Sequence, residues 1–154
     1  MKISVIAVGK ARGLGPALAE YESRAARYWR LEVVEVPQAR GRLAPAVLPR
    51  EAEAIRSRLR PGFVRVALTR GGRGWSSGEM ARRLERFSQG PERGVHFLIG
   101  GAFGLADDLR RECEWELSLS SFTLPHDFAR LVLMEQLYRA GTILRGEPYH
   151  KGSK

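Results

Sequence analysis

The chain has 154 residues and a mass of 17.2 kDa, a size typical of one compact domain, so we expect residues 1–154 to form a single domain. Cys113 is its one cysteine, which excludes an internal disulfide and favours a reducing compartment. Three histidines and one cysteine cannot supply four zinc ligands without carboxylates, and we expect no metal.

Positive charge is concentrated in the first half of the sequence. The chain carries 26 Lys and Arg against 17 Asp and Glu, a formal net charge of +9. Fifteen basic and six acidic residues precede Gly78, whereas 11 of each lie in the rest of the chain. Twenty-two of the basic residues are arginines, which bind phosphate through two parallel hydrogen bonds and stack on bases. This favours a nucleic-acid partner, although codon bias would also raise the ratio of Arg to Lys.

Three strands alternate with two helices in the first half. In chain order they are a strand at Ile3–Val8, a helix with Pro16 in its first turn, a strand at Leu31–Val36, a helix at Arg50–Leu59 and a strand at Phe63–Thr69. The strands are short apolar or alternating runs. Residues 37–48 and 70–75 are rich in Pro, Gly and Arg, and they predict a loop and a tight turn.

The second half continues the alternation. Its predicted elements are a helix from the N-cap Ser76 to Gln89, a strand at Val95–Ile99, a short helix at Ala106–Cys113, a strand at Trp115–Leu119 and a helix at Pro125–Leu144. Ser76 and Glu79 match a capping box. The last helix is apolar on nearly all sides, which indicates burial in a core or an interface. The whole pattern predicts one α/β domain, a mostly parallel sheet of about five strands with helices on both faces.

Segments of small residues follow the third, fourth and fifth predicted strands, at Leu68–Trp75, Ile99–Gly104 and Ser118–His126. Ligands of open parallel sheets bind beyond the carboxyl ends of the strands, and glycine lets a ligand approach the backbone closely. The motifs GxGxxG before the first helix, GxxxxGK[ST] and HExxH are all missing from the sequence. The three strand ends therefore predict a cofactor site of another class.

The sequence resembles the ribosomal RNA large subunit methyltransferase H family in the segments FLIGGAFG, LSLSSFTLPH, LMEQLYRAGTI and PYHK. The resemblance extends from the opening KISVIAVGK through LTRGGRGWSSGEMA and covers the whole chain. The motifs TLPH, EQLYRA and PYHK are together highly specific. The family belongs to the SPOUT superfamily of knotted methyltransferases and makes N3-methylpseudouridine in 23S ribosomal RNA.

The resemblance implies a fold, a cofactor and partners. The C-terminal segment would thread a trefoil knot, a rare exception to unknotted topology. The cofactor would be S-adenosylmethionine, the active form a homodimer, and the substrate the 23S rRNA of the assembled ribosome. The nearly all-apolar last helix fits a dimer interface.

Cofactor contacts in the family fall on positions that are here Leu68, Gly100, Leu119, Ser120, Ser121, Phe122, Thr123 and Leu124. The leucines and Phe122 suit the flat, apolar faces of adenine, and backbone groups of the loops can satisfy its edge. Because glycine has no Cβ, Gly100 would let the ribose or the methionine part of the cofactor lie close to the backbone. Thr123 could bind the cofactor or cap the last helix.

The family's active-site tail matches PYHK, and the resemblance places it near the cofactor of the partner protomer. N3 of a pseudouridine must lose its proton to become a nucleophile, and a histidine suits that task near neutral pH. His150 is therefore the expected base or proton relay, with Tyr149 positioning the nucleotide. An exposed histidine so near a terminus could also have no role.

Basic residues of the second half are expected to contact RNA or an interface. They are Arg130, Arg139 and Lys151. In the first half we expect a ribosome-binding surface that includes Arg40, Arg42, Arg56, Arg58 and Arg60.

Three further positions leave alternatives open. Thr69 stands where the family commonly has Asp, which puts the cofactor contact at this position in doubt. His126, at the start of the last helix, either is structural or lines the site, and His96 is expected in the core.

Two other functions compete with N3 methylation of a pseudouridine. One is a different SPOUT-type RNA methyltransferase, acting on transfer RNA or on a ribose hydroxyl, and the tail PYHK speaks against it. The other is a non-enzymatic basic RNA-binding or assembly factor. The sequence shows no targeting segment and no apolar stretch of membrane-spanning length, so we expect a cytoplasmic protein.

Overall fold

The computed structural model describes residues 1–150, except for the side chain of His150. Its strands are β1 (Lys2–Val8), β2 (Arg30–Val36), β3 (Phe63–Gly74), β4 (Gly94–Ile99) and β5 (Trp115–Ser118). Its helices are α1 (Gly15–Ala25), α2 (Ala44–Arg56), α3 (Ser77–Gln89), α4 (Asp107–Arg111) and α5 (His126–Leu144), followed by a short 3₁₀ turn at Pro148–His150. Within the described residues, no helix is long and apolar enough to cross a membrane.

The five strands form one sheet in the order β2-β1-β4-β3-β5, and every pair is parallel. The strand β4 is central, and it pairs with β1 in register from Lys2 opposite Gly94 to Ala7 opposite Ile99. Because all strands run the same way, their carboxyl ends meet at one edge, here called the carboxyl edge. The predicted α/β fold with a parallel sheet is confirmed, and the knot stays a prediction.

Helices cover both faces of the sheet, as predicted. The side chains of Ile3 and Val5 in β1 point into a core formed with α1, α3 and α5. Ile6 and Val8 join the core on the other face, which α2 and α4 cover. Buried central strands with apolar residues on both faces are typical of parallel sheets. The carboxyl edge remains open to ligands between the two helical layers.

The second helix begins earlier than the sequence predicts. Residues 37–48 were expected to form a loop, but α2 starts at Ala44, with Pro45 in its first turn, and ends at Arg56 rather than Leu59. Pro49 lies inside the helix, where its missing N–H removes one backbone hydrogen bond. Burial of Val47 and Ala52 against the sheet holds this turn in helical form despite the proline.

The third strand continues through the predicted glycine turn. Leu68 and Arg73 both pair with Leu117 of β5, so residues 69–72 form a bulge within the strand. At Gly72 a Cβ would lie 2.8 Å from the carbonyl carbon of Glu116, which explains why this position needs glycine. The prediction of a simple turn over 70–75 is therefore wrong: the chain returns to the sheet.

The capping box at the start of α3 is confirmed. The hydroxyl of Ser76 accepts a hydrogen bond from the N–H of Glu79 at 3.1 Å, and the Glu79 carboxylate accepts one from the N–H of Ser76 at 3.2 Å. This fixes the chain direction where β3 leaves the sheet.

Candidate functional site

A cleft of about 430 Å³ opens at the carboxyl edge of the sheet. This volume falls in the range of small-ligand sites. Seven of the eight predicted cofactor-binding residues line it: Leu68, Gly100, Leu119, Ser120, Phe122, Thr123 and Leu124. Ser121, the eighth, does not line the cleft. The segments after β3, β4 and β5 thus come together, as their position at three strand ends predicts.

The floor of the cleft includes a tight glycine turn after β4. Gly101 and Gly104 form an antiparallel bridge, and the N–H of Gly104 donates to the carbonyl of Gly101 at 3.0 Å. Gly104 has φ of +75°, a conformation that favours glycine. A Cβ on Gly100 would lie 2.3 Å from the carbonyl carbon of Gly104. Glycine at position 100 is thus required by the turn itself, whatever ligand it meets.

Thr69 begins the bulge in β3 and lines the same cleft. Its Oγ1 is buried and has no hydrogen-bond partner among the described residues. A buried hydroxyl without a partner costs about 1–3 kcal/mol, and a ligand that pairs with it recovers that cost. Thr69 therefore offers a hydrogen-bond donor and acceptor to a ligand of the cleft.

The loop after β5 is shaped by its own hydroxyls. The Ser118 hydroxyl donates to the carbonyl of Ser120 at 2.9 Å, and the N–H of Phe122 donates to the Ser120 hydroxyl at 2.9 Å. Phe122 is 82% exposed at the mouth of the cleft. The N-cap of α5 is Pro125, and no described side chain caps this helix. The alternative role of Thr123 as a helix cap is therefore wrong.

Sequence reasoning left several lining residues unassigned, among them Gly101, Phe103, Gly104, Arg110 and His126. The glycines belong to a motif that the sequence shows. Arg110 carries no such signal, because α4 brings it to the cleft only through tertiary packing. It is paired with Glu116 at 3.0 Å and Asp107 at 3.2 Å. Of the two roles left open for His126, the structure supports lining the site.

Tyr149 is held against α5 and does not line the cleft of its own chain. Its ring lies 4.6 Å from that of Tyr138, and its hydroxyl donates to Glu135 at 3.3 Å. The guanidinium of Arg139 lies 4.9 Å from the centre of the ring. Burial, together with the Glu135 carboxylate, raises the pKa of Tyr149 to about 12, so the phenol is neutral near pH 7. Lys151 and the side chain of His150 lie outside the described residues.

The predicted RNA-binding arginines of α5 both bind carboxylates within the chain. Arg130 is 8% exposed and pairs with Glu35 at 2.6 Å and Glu22 at 3.0 Å, which ties α5 to β2 and α1. The hydrogen bond from Arg130 holds the pKa of Glu35 below its usual range. Arg139 pairs with Glu135 at 2.6 Å. Contact of either arginine with RNA stays a prediction.

His96 is fully buried, as expected of a core residue. Its Nε2 accepts a hydrogen bond from the N–H of Arg60 at 2.9 Å, and its ring lies 4.6 Å from that of Phe63. Burial, reinforced by the nearby Arg60 charge, lowers the pKa of His96 to about 4. It lies away from the cleft. No three His, Cys, Asp or Glu side chains cluster as metal ligands in the described part of the chain.

Comparison with known proteins identifies the family. A family model described as "Predicted SPOUT methyltransferase" matches residues 1–150. Proteins named ribosomal RNA large subunit methyltransferase H from Anaeromyxobacter dehalogenans (strain 2CP-C) and Gemmatimonas aurantiaca are 50% identical over 157 residues and 46% identical over 155 residues. Each alignment covers 98% of this chain and 100% of the relative.

Solved structures share the fold at low sequence identity. A probable methyltransferase from Bordetella pertussis Tohama I superposes with a TM-score of 0.58 at 16% identity, over 91% of this chain and 94% of that one. A probable methylase family protein from Haemophilus influenzae Rd KW20 gives 0.57 at 14% identity, over 99% of this chain and 70% of that one. With a family model that spans nearly the whole chain and relatives that match it from end to end, the chain belongs to the ribosomal RNA large subunit methyltransferase H family of SPOUT methyltransferases.

Proposed function

We propose that the protein transfers a methyl group from S-adenosylmethionine to N3 of a pseudouridine in large-subunit ribosomal RNA, and that it acts as a homodimer on the assembled ribosome. The observation that carries this proposal is end-to-end similarity to relatives named ribosomal RNA large subunit methyltransferase H. The cleft at the carboxyl edge supports it, because it unites the three strand ends at which the family binds its cofactor.

The residues of the cleft fit S-adenosylmethionine. Leu68, Leu119 and Leu124 offer an apolar surface on which the faces of adenine can pack, and Phe122 stands at the mouth. The free Oγ1 of Thr69 offers a hydrogen bond to a polar group of the ligand. When bound, S-adenosylmethionine supplies an electrophilic methyl group on its sulfonium. The cleft itself contributes chiefly by holding donor and acceptor in line.

The C-terminal tail supplies the proton chemistry in this proposal. The imidazole of His150 accepts the proton of N3, which leaves the nitrogen lone pair free for the methyl carbon. Tyr149 positions the nucleotide, and its high pKa keeps the phenol neutral and able to donate a hydrogen bond near pH 7. Because Tyr149 packs on α5 and does not line the cleft of its own chain, the tail would serve the cleft of a second copy.

Exposed apolar side chains near the cleft support a homodimer. Phe122 is 82% exposed, Phe128 is 48% exposed and Val132 is 36% exposed, the last two in the first half of α5. A second copy of the chain would cover such a surface. Sedimentation equilibrium should give twice the chain mass, and Phe128→Asp with Val132→Asp should lower it toward the monomer. If the wild-type protein sedimented with the mass of one chain, the proposed homodimer would be wrong.

The reaction is tested with ribosomes from a strain that lacks this methyl group. Purified protein and methyl-labelled S-adenosylmethionine should transfer label to the large-subunit RNA, and nucleoside analysis should find it in N3-methylpseudouridine. Label in another nucleoside would support a different RNA methyltransferase and overturn this one. Failure to bind S-adenosylmethionine in calorimetry would support a non-enzymatic RNA-binding factor.

A further inference from the structure

We propose that Lys10, Arg12, Arg40 and Arg42 form a docking surface for the phosphate backbone of the RNA substrate, beside the cofactor cleft. This surface is called the basic edge below. The inference rests on the proposed function, since it assumes an RNA substrate, and it assigns the task of holding that RNA to two loops of the first half.

The two loops are neighbours in space. Residues 9–13 follow β1 and residues 37–43 follow β2, and these adjacent parallel strands end together at the carboxyl edge. The N–H of Gly9 donates to the carbonyl of Val36 at 2.9 Å, which joins the starts of the two loops. The four cations therefore flank one corner of the sheet.

The four side chains are available to a partner. All of them belong to exposed residues, and none forms an ion pair within the described part of the chain. Glu35 and Glu51, two carboxylates beside the loops, each accept a hydrogen bond from another partner, although the charge of Lys10 also helps to lower the pKa of Glu35. Glu35 binds Arg130 and accepts the N–H of Ala11 at 3.3 Å, while Glu51 is 2% exposed and accepts the N–H of Ala39 at 3.0 Å.

The structure divides the arginines that the sequence groups together. Arg56 pairs with Glu112 and Asp108, each at 3.1 Å, and Arg60 pairs with Glu32 at 2.8 Å. Arg60 precedes β3 and so lies at the opposite, amino edge of the sheet. Within the described residues Arg40 and Arg42 form no ion pair, and both lie on the same edge of the sheet as the cleft.

The first loop of the basic edge touches a residue that lines the cleft, and the second loop reaches one through Glu51. A Cβ on Gly9 would lie 3.5 Å from Cε1 of His126, so the first loop packs directly on that imidazole. A Cβ on Gly101 would lie 3.2 Å from Oε1 of Glu51, whose other oxygen holds Ala39 of the second loop. A phosphate backbone bound along the basic edge would therefore pass beside the cleft mouth.

Arginine suits this role chemically. Its guanidinium binds phosphate oxygens through two parallel hydrogen bonds, and three of the four cations are arginines. Each phosphate contact releases counterions, so binding weakens as the salt concentration increases. Each contact makes the slope of log affinity against log salt concentration steeper by about 0.7 to 0.9. The number of contacts is thus measurable as a slope.

The test uses neutral variants of the full-length protein and ribosomes that lack the methyl group. Arg40→Gln with Arg42→Gln, and Lys10→Gln with Arg12→Gln, each remove two cations of the basic edge. Arg27→Gln with Arg30→Gln is the matched control, because both residues are exposed and lie near the amino edge. Affinity for ribosomes is measured across a KCl series, with calorimetry of S-adenosylmethionine as a check on the cleft and thermal unfolding as a check on the fold.

Each basic-edge pair should weaken ribosome binding at least tenfold at about 0.1 M KCl and reduce the slope by about 1.5. Cofactor affinity and unfolding temperature should stay near wild type, and the control pair should change binding less than twofold. If all variants had the same salt slope, or if the control pair lost as much ribosome affinity as the basic-edge pairs, the proposed docking surface would be wrong. Failure of the proposed function looks different: the wild-type protein would place no methyl group on N3 of pseudouridine, whatever the slopes.

Discussion

The backbone of Gly104 occupies the space into which a side chain at Gly100 would extend, with 2.3 Å between a built Cβ and the carbonyl carbon. The turn after β4 folds back on itself this tightly because Gly101 and Gly104 are bridged. The close contact between Gly100 and Gly104 therefore determines the shape of the cleft floor on which a ligand would bind.

Gly100→Ala should displace the turn and weaken binding of S-adenosylmethionine at least tenfold, measured by calorimetry. Overpacking of this kind costs about 1–3 kcal/mol, which urea unfolding would detect. Gly71→Ala is the matched control, since Gly71 lies in the bulge of β3 and a Cβ there has no atom within 4 Å. Wild-type cofactor affinity in Gly100→Ala would show that the turn does not shape the site.

Thr69→Val should preserve the shape of the side chain and remove its free hydroxyl. We expect the free energy of unfolding to stay equal or to increase, because a buried polar atom without a partner is lost. Affinity for S-adenosylmethionine should fall about fivefold to tenfold, the loss of one hydrogen bond of about 1–1.4 kcal/mol. Thr69→Ser, which retains the hydroxyl, should bind the cofactor like wild type. An unchanged affinity in Thr69→Val would show that the hydroxyl has no ligand partner.

His150→Ala should reduce turnover at least a hundredfold, the usual contribution of a general base, while cofactor affinity stays close to wild type. The pH dependence of the remaining activity should lose its limb near the pKa of an imidazole. Single-turnover methyl transfer to ribosomes measures both effects. A collapse of cofactor affinity with unchanged chemistry would assign His150 to the binding site instead.

His96 should make the protein less stable in mild acid. Its pKa is about 4 in the folded chain and about 6.5 in the unfolded chain, so below pH 6.5 the unfolded chain takes up a proton that the folded chain does not. The free energy of unfolding should therefore decrease as the pH falls from 6.5 to about 4, by up to about 3 kcal/mol from this group.

The matched variant is His96→Gln, whose amide oxygen can accept the N–H of Arg60 without titrating. Urea unfolding of both proteins between pH 7 and pH 4 isolates the histidine, since the carboxylates are common to the two. Parallel curves across this window would show that the folded chain tolerates a protonated imidazole.

Arg130→Met should lower the free energy of unfolding by about 2 kcal/mol, because the carboxylates of Glu22 and Glu35 lose their shared partner. The hydrogen bond from Arg130 depresses the pKa of Glu35 in the folded chain. The stability that this shift contributes is fully present above the pKa of Glu35 in the unfolded chain, and it is lost as the pH falls through the lower pKa of Glu35 in the folded chain. The variant should therefore lose less stability in acid than wild type. Unchanged stability with weaker ribosome binding would instead assign Arg130 to RNA contact.

The sequence predicts the strands and the cleft because those signals are local. Apolar runs such as Val95–Ile99 and the capping box at Ser76 depend on neighbouring residues alone, and both are found. Three glycine-rich or hydroxyl-rich segments at strand ends predict the cleft because a parallel sheet brings such ends together.

Other features depend on contacts between distant residues. The start of α2 escapes prediction because Pro49 disrupts the helical pattern, and burial of Val47 outweighs it. The return of β3 to the sheet depends on pairing with β5, which no pattern within 70–75 reveals. Arg56 and Arg60 look like free surface cations until the fold supplies Glu112 and Glu32.

The position of β4 between β1 and β3 determines when the sheet can close during synthesis. The pair β1–β2 can form as soon as residue 36 has left the exit tunnel, but β1 and β3 are joined only through β4, which ends at Ile99. A nascent chain shorter than that holds only the β1–β2 pair and an unpaired β3, because β5, the other partner of β3, follows β4 in the sequence. Ordered docking of both helical layers therefore waits for the second half of the chain, and the cleft is completed only by the last helix to emerge.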